Sequence, residues 1–81
     1  AKGEQFLIQV AAFRSRADAE QRVAALTLGG LAARVEKVTI DNKDTWYRVR
    51  LGPYGSAAAA SAAHQRLKTQ GFDGVVMKVR S

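Results

Sequence analysis

The chain has 81 residues, 47% of them hydrophobic, with one tryptophan, one histidine and no cysteine. That length allows one small domain with a modest core, and the lack of cysteine excludes disulfides, thiolate metal ligands and a cysteine nucleophile. A formal charge of +6 invites anionic partners, yet the lysines and arginines are scattered without a block, as on a mostly solvated charged surface.

No run approaches membrane-spanning length, and the start, AKGEQF, is not that of a signal peptide, so no membrane contact is expected of this domain itself. Residues 1–5 read as a tail, and residues 6–81 as the domain. A first strand is expected from Phe6 to Ala12, with Phe6, Ile8 and Val10 on one face and Leu7, Gln9 and Ala11 on the other. Phe13 follows in a turn. Ser15-Arg16-Ala17-Asp18 has the form of a capping box, and Ala19, Val23 and Leu26 make the apolar stripe of a helix that Gly29-Gly30 ends.

A second strand, about Ala32 to Ile40, mixes its phases: Val35 fits one register, Val38 and Ile40 the other. A bulge or strong twist near Glu36-Lys37 would reconcile them. Asp41 to Asp44 supplies the turn into the strand of TWYRVRLGPY (Thr45 to Tyr54), which Gly52-Pro53 is expected to stop. Tyr47, Val49 and Leu51 lie on one face of it; Trp46, Arg48 and Arg50 on the other. A second helix from Ser56 carries Ala60, Ala63, His64 and Leu67 inward, and a last strand runs from about Val75 to Val79.

The halves repeat with a displacement of 41 residues: Phe6–Ser15 falls on Tyr47–Ser56, Leu26 on Leu67 and Gly30 on Gly71. Two strand-helix-strand units, about 6–40 and 47–81, give an α+β fold of the split βαβ kind, βαββαβ: a four-stranded antiparallel sheet with two helices on one face. By analogy with that fold the strand order is 4-1-3-2. The repeat also assigns faces, since Ile8 and Val10 match Val49 and Leu51 under the helices, while Leu7 and Gln9 match Arg48 and Arg50 on the open side.

No enzyme chemistry, metal site or cofactor is expected. His64 sits where the first half has Val23, at the edge of the core, with no evident carboxylate or second imidazole nearby. The acidic residues offer neither a glycosidase pair nor metal-ligand spacing. A binding face fits better: Leu7, Gln9, Trp46, Arg48 and Arg50 converge on the open side of adjacent strands. Trp46 offers an apolar plane, Gln9 a donor and an acceptor, and the arginines forks for carboxylate or phosphate. Two plainer readings stay open. Trp46 and the arginines are also what a half-solvated sheet carries, and Phe13 and Tyr54 serve either as plugs or as ligand contacts.

The segments FLIQVAAF (Phe6 to Phe13), the helix A-x-x-x-V-x-x-L (Ala19 to Leu26) followed by Gly30, WYRVRLGPY (Trp46 to Tyr54) and RLK-x-x-GF (Arg66 to Phe72) together resemble a SPOR domain, and within that family the C-terminal domain of the cell division protein FtsN and its relatives. The resemblance implies non-catalytic binding of septal peptidoglycan, with preference for denuded glycan strands lacking stem peptides. It also implies a place in the periplasm or cell envelope at the division septum, and a parent protein through which other division proteins are met. The binding residues it implies fall on Gln9, Phe13, Trp46 and Arg48; Arg50 joins them by the face argument. The family usually has Gly-Ser where this chain has Ala11-Ala12, so one sugar contact is expected to be missing at Ala12. A monomer is expected. Two competing readings are an RNA-recognition-like module, which shares the plan but stacks bases on several outward aromatics, and a protein-interaction domain. No nucleic-acid partner is expected, because only Trp46 is an outward aromatic on the central strands.

Overall fold

In a computed structural model that describes residues 3–80, each helix opens on a serine. Ser15 Oγ accepts the Asp18 backbone N–H and Ser56 Oγ that of Ala59, which relieves one unpaired donor at each helix start. The helices are α1 (Arg16–Leu28) and α2 (Ala57–Thr69), between strands β1 (Glu4–Phe13), β2 (Ala33–Ile40), β3 (Asp44–Tyr54) and β4 (Val75–Arg80). Both helices end alike. Gly30 and Gly71 take φ of 84° and 88°, which glycine adopts without cost. Their N–H groups bond to Thr27 and Lys68, and those of Leu31 and Phe72 reach back to Leu26 and Leu67.

The element order is βαββαβ, as the repeat implies, and the sheet runs β2-β3-β1-β4 with antiparallel pairs, the order expected by analogy with the split βαβ fold. The helices cover one face. Ile8, Val49 and Leu51 from the central strands meet Ala19, Leu26, Leu31 and Leu67 there, and all seven are buried. Ala60 is buried as well, the repeat partner of Ala19. Small side chains at these two places fit helices lying close on the sheet.

Four expectations need correction. Gln5, assigned to a tail, already pairs with Val79, and Glu4 with Arg80; Ala1 and Lys2 lie outside the described residues. Gly52-Pro53 does not stop β3. The strand passes through them with a register shift, Ile8 pairing with Leu51 and Phe6 with Tyr54, and a bulge is where a proline without an N–H can sit in a central strand. No bulge reconciles β2, because its ladder with β3 is regular from Ala33↔Leu51 to Ile40↔Asp44. Arg34, Glu36, Val38 and Ile40 therefore share the face of Arg50, Arg48 and Trp46, and the two apolar residues lie on the open side. The bulge is in β1, where Gln9 pairs with Arg50 but Ala11 with Val49. Val10 is the extra residue; it is half-buried and borders the core. Past it the phase inverts. Ala11 joins the Val49 face, and Ala12 pairs with Arg48 on the open side.

His64 keeps its expected place at the edge of the core, but it has a carboxylate neighbour that was not expected. It is mostly buried at the helix edge, but its Nε2 lies 3.1 Å from Asp73 Oδ1, because the turn after Gly71 folds Asp73 back along α2. Asp73 also accepts the Gly74 N–H at 2.7 Å. That backbone bond first, and His64 second, hold the Asp73 carboxyl below its ordinary value. A depressed carboxyl contributes stability that is complete above its unfolded value of about 4 and is lost as pH falls through the lower folded one. Asp73→Ala should thus be less stable than the parent at neutral pH in urea unfolding. The gap should close as the pH is lowered through the depressed folded value.

Candidate functional site

The open face is a strip across four strands whose members follow from the ladders. β2 contributes Arg34, Glu36 and Val38, and β3 contributes Trp46, Arg48 and Arg50. β1 contributes Leu7, Gln9 and, past the bulge, Ala12, and β4 contributes Val75 and Met77. A groove of about 490 Å³ lies in it, lined by Gln9, Val10, Ala11, Ala12, Arg48, Val75 and Met77. Its floor is small and apolar. Its polar side chains are the Gln9 amide and the Arg48 guanidinium.

The sequence-predicted residues fall in four places. Gln9 and Arg48 share the groove. Arg50 lies on the same face, yet its side chain is only 11% exposed. Its Nη1 is 2.7 Å from Glu36 Oε1, its Nη2 donates to Gln9 Oε1 at 3.2 Å, and its Nε is buried without a partner among the described residues. Trp46 stands further along. It is four positions from Arg50, about 13 Å along the strand, and since Gln9 pairs with Arg50 the tryptophan is not beside Gln9. Its neighbour across the β2 ladder is Val38. The Arg14 guanidinium lies over its ring, 4.8 Å from the centroid, and is itself held by Asp44 at 3.3 Å. One ring face is thus already occupied by a cation.

Phe13 is on the other side. It pairs with Tyr47 under the helices, borders the core, and has Arg22 5.4 Å from its ring. The same guanidinium is 5.2 Å from Phe72, so Arg22 bridges the two aromatic rings. Tyr54, its repeat counterpart, also borders the core, and burial raises its phenol above the usual value. Both residues are partly buried against the core.

Sequence reasoning missed Glu36 and the β4 pair. Glu36 stood in a strand whose outward face was undetermined, and Val75 and Met77 alternate like any edge strand. Leu7, expected outward, is on the open face but only 7% exposed, opposite Met77. Of the open-face arginines, Arg50 is neutralised by Glu36, while Arg34 and Arg48 have no ion-pair partner among the described residues. Among the described residues no cluster of three His, Asp or Glu side chains is placed to hold a metal ion, and no helix is long and apolar enough to cross a membrane.

The family model described as SPOR domain matches residues 2–78. The SPOR domain of RlpA from Pseudomonas aeruginosa is similar in structure, with a TM-score of 0.74 and 29% identity over 95% of this chain and 99% of that one. The peptidoglycan binding domain of the Bacillus subtilis cell wall lytic enzyme CwlC shares the fold at a TM-score of 0.75 and 23% identity, covering 98% of this chain and 94% of its own. The Spor protein DedD shares it at 0.71 and 23% identity over 99% of this chain, which spans 42% of that protein. No curated protein matches the chain by sequence.

Removing Glu36 would strand the nearly buried Arg50 guanidinium. Glu36→Ala should cost about 1–3 kcal/mol in urea unfolding. The double variant Glu36→Ala/Arg50→Ala should cost clearly less than the sum of the two single ones, the mark of a coupled pair.

Proposed function

The chain belongs to the SPOR family, whose domains are non-catalytic peptidoglycan-binding modules, and on that premise we propose that its groove holds denuded glycan strands of septal peptidoglycan. The observation that carries the reading is the pairing of an apolar floor with an unneutralised arginine, Arg48, beside the Gln9 amide. A denuded strand alternates N-acetylglucosamine with N-acetylmuramic acid, whose lactyl group ends in a free carboxylate once the stem peptide is gone. Arg48 suits that carboxylate and Gln9 an acetamido group. The ring of Trp46, about 7 Å along β3 from Arg48 and about 13 Å from Arg50, the partner of Gln9, suits a neighbouring sugar. Intact strands lack the free carboxylate and carry bulky peptides, so charge pairing and exclusion would act together. A domain of this kind concentrates its parent, a cell-division or cell-wall protein of the FtsN kind, at the division site in the cell envelope.

Phe13, placed under the helices, contributes to such a site through the fold. Ala12 lies on the groove wall opposite Arg48, where the family's usual serine would bring a hydroxyl. The main test is retention on sacculi before and after amidase treatment, with single-stranded RNA as competitor. Amidase treatment should raise retention, and RNA should compete poorly at physiological salt. Equal retention on both sacculi would remove the denuded-strand preference, and tight RNA binding would replace the glycan altogether.

The residues separate by titration against amidase-treated glycan with thermal melts as control. Trp46→Ala should cost about 2 kcal/mol of binding, and Gln9→Ala and Arg48→Ala about 1–2 each; Trp46→Ala and Arg48→Ala should change melting little, while Gln9→Ala should lower it because Arg50 Nη2 loses its acceptor. Ala12→Ser should move the other way. One added hydrogen bond of about 1 kcal/mol tightens binding roughly fivefold.

A further inference from the structure

We propose that Glu36 and Arg50 are the positioning pair of the groove: together they make Gln9 a donor-only contact and leave Arg48 free for the ligand. The proposal rests on the glycan-binding reading and deepens it by assigning which ligand atoms the groove takes. The orientation of a glutamine amide is ordinarily a matter of assignment. Here its neighbour decides it, because a guanidinium has only donors. The Gln9 atom 3.2 Å from Arg50 Nη2 must be the carbonyl oxygen Oε1. The NH2 group is then the end left for the groove, which Gln9 lines. The reversed amide would set donor against donor beside a side chain that is 11% exposed.

Glu36 sets up both effects. In the ladder it stands directly opposite Arg48, while Arg50 stands opposite Arg34. The shortest pairing for Glu36 would be with Arg48, yet its carboxylate goes diagonally to Arg50 Nη1 at 2.7 Å. That choice anchors the guanidinium that holds Gln9. It also leaves Arg48 without a carboxylate among the described residues. The polar side chains lining the groove are therefore both donors, the Gln9 NH2 and the Arg48 guanidinium, beside the apolar side chains of Ala12, Val75 and Met77. Such a groove takes ligand acceptors. On a denuded strand these are the acetamido carbonyl oxygen at Gln9, not the acetamido N–H, and the lactyl carboxylate at Arg48.

Two measurements test this, and only one needs the glycan. In NMR of the free 81-residue chain, the Gln9 side-chain NH2 protons should show contacts to the Val75 or Met77 methyls, and in Arg50→Met these contacts should disappear as the amide averages. Amide contacts that persist unchanged in Arg50→Met overturn the positioning role. If that variant does not fold, Glu36→Leu/Arg50→Met removes both charges, which often leaves stability unharmed, and is read the same way. In titration with amidase-treated glycan, Arg50→Met should weaken binding about as much as Gln9→Ala, and the two together no further. Gln9→Glu separates donor from acceptor. Its carboxylate keeps Arg50 through one oxygen and turns the other toward the groove and Arg48, so it should bind on the order of tenfold more weakly than Gln9→Ala. Gln9→Glu binding as well as the parent overturns the donor-only assignment. Should the parent itself fail to bind the glycan, the glycan reading falls, and the NMR comparison still decides whether Arg50 orients Gln9.

Discussion

The pairing of β1 with β3 is the interaction on which everything else in this domain depends. The two strands are counterparts in the repeat, and side-chain hydrogen bonds join residues that are each other's equivalents. Gln9 meets Arg50 on the open face, and Gln70 Nε2 donates to the Gly29 carbonyl at 2.7 Å at the helix ends. A contact between a residue and its own counterpart can occur only near a two-fold axis, as at the centre of an isologous dimer. The chain is thus a pseudo-dimer with one core. Ala19 and Ala60, Leu26 and Leu67 enter that core as matched pairs and are wholly buried. With no disulfide to help, a chain this short gains cohesion by burying each half against the other.

The groove arises where the symmetry breaks. A strictly symmetric ladder through Gln9↔Arg50 would put Val10 opposite Val49, but the bulge puts Ala11 there and turns Ala12 outward beside Arg48. The counterpart of Arg48 in the first half is Leu7, which is nearly buried. One central strand therefore brings charge to the open face and the other brings an apolar surface and an amide. A sugar needs both, planes to lie on and directed hydrogen bonds.

The net charge of the chain says little about which cation is available. Arg14 and Arg50 are each tied to a carboxylate, Arg16 to Glu20 and Lys78 to Glu4. The exposed pairs contribute little stability in water. Their effect on the surface is larger, because they remove candidates. Among the described residues, Arg34 and Arg48 are left on the open face, and of these Arg48 borders the groove.

The element order, the sheet topology, the serine caps and the face of β3 were legible in the sequence. The strand order came by analogy with the split βαβ fold; the others rest on local chemistry or on the repeat: the alternation of Tyr47, Val49 and Leu51, the serine before each helix, glycine after each. Gln9 and Arg48 were legible for the same reason. The sequence could not show that Val10 is an extra residue, since a bulge is a relation between two strands and Val10 continues the alternation of Ile8 without a flaw. Nor could it choose the outward face of β2, where Val38 and Ile40 looked like core and lie on the open side with Trp46. Only the tertiary structure decided that Glu36 reaches past Arg48 to Arg50, that Arg14 covers Trp46, and that Asp73 comes back to His64. Each is a contact between groups far apart in the chain or diagonal in the sheet, so its existence depends on registers that close only when the whole fold is assembled.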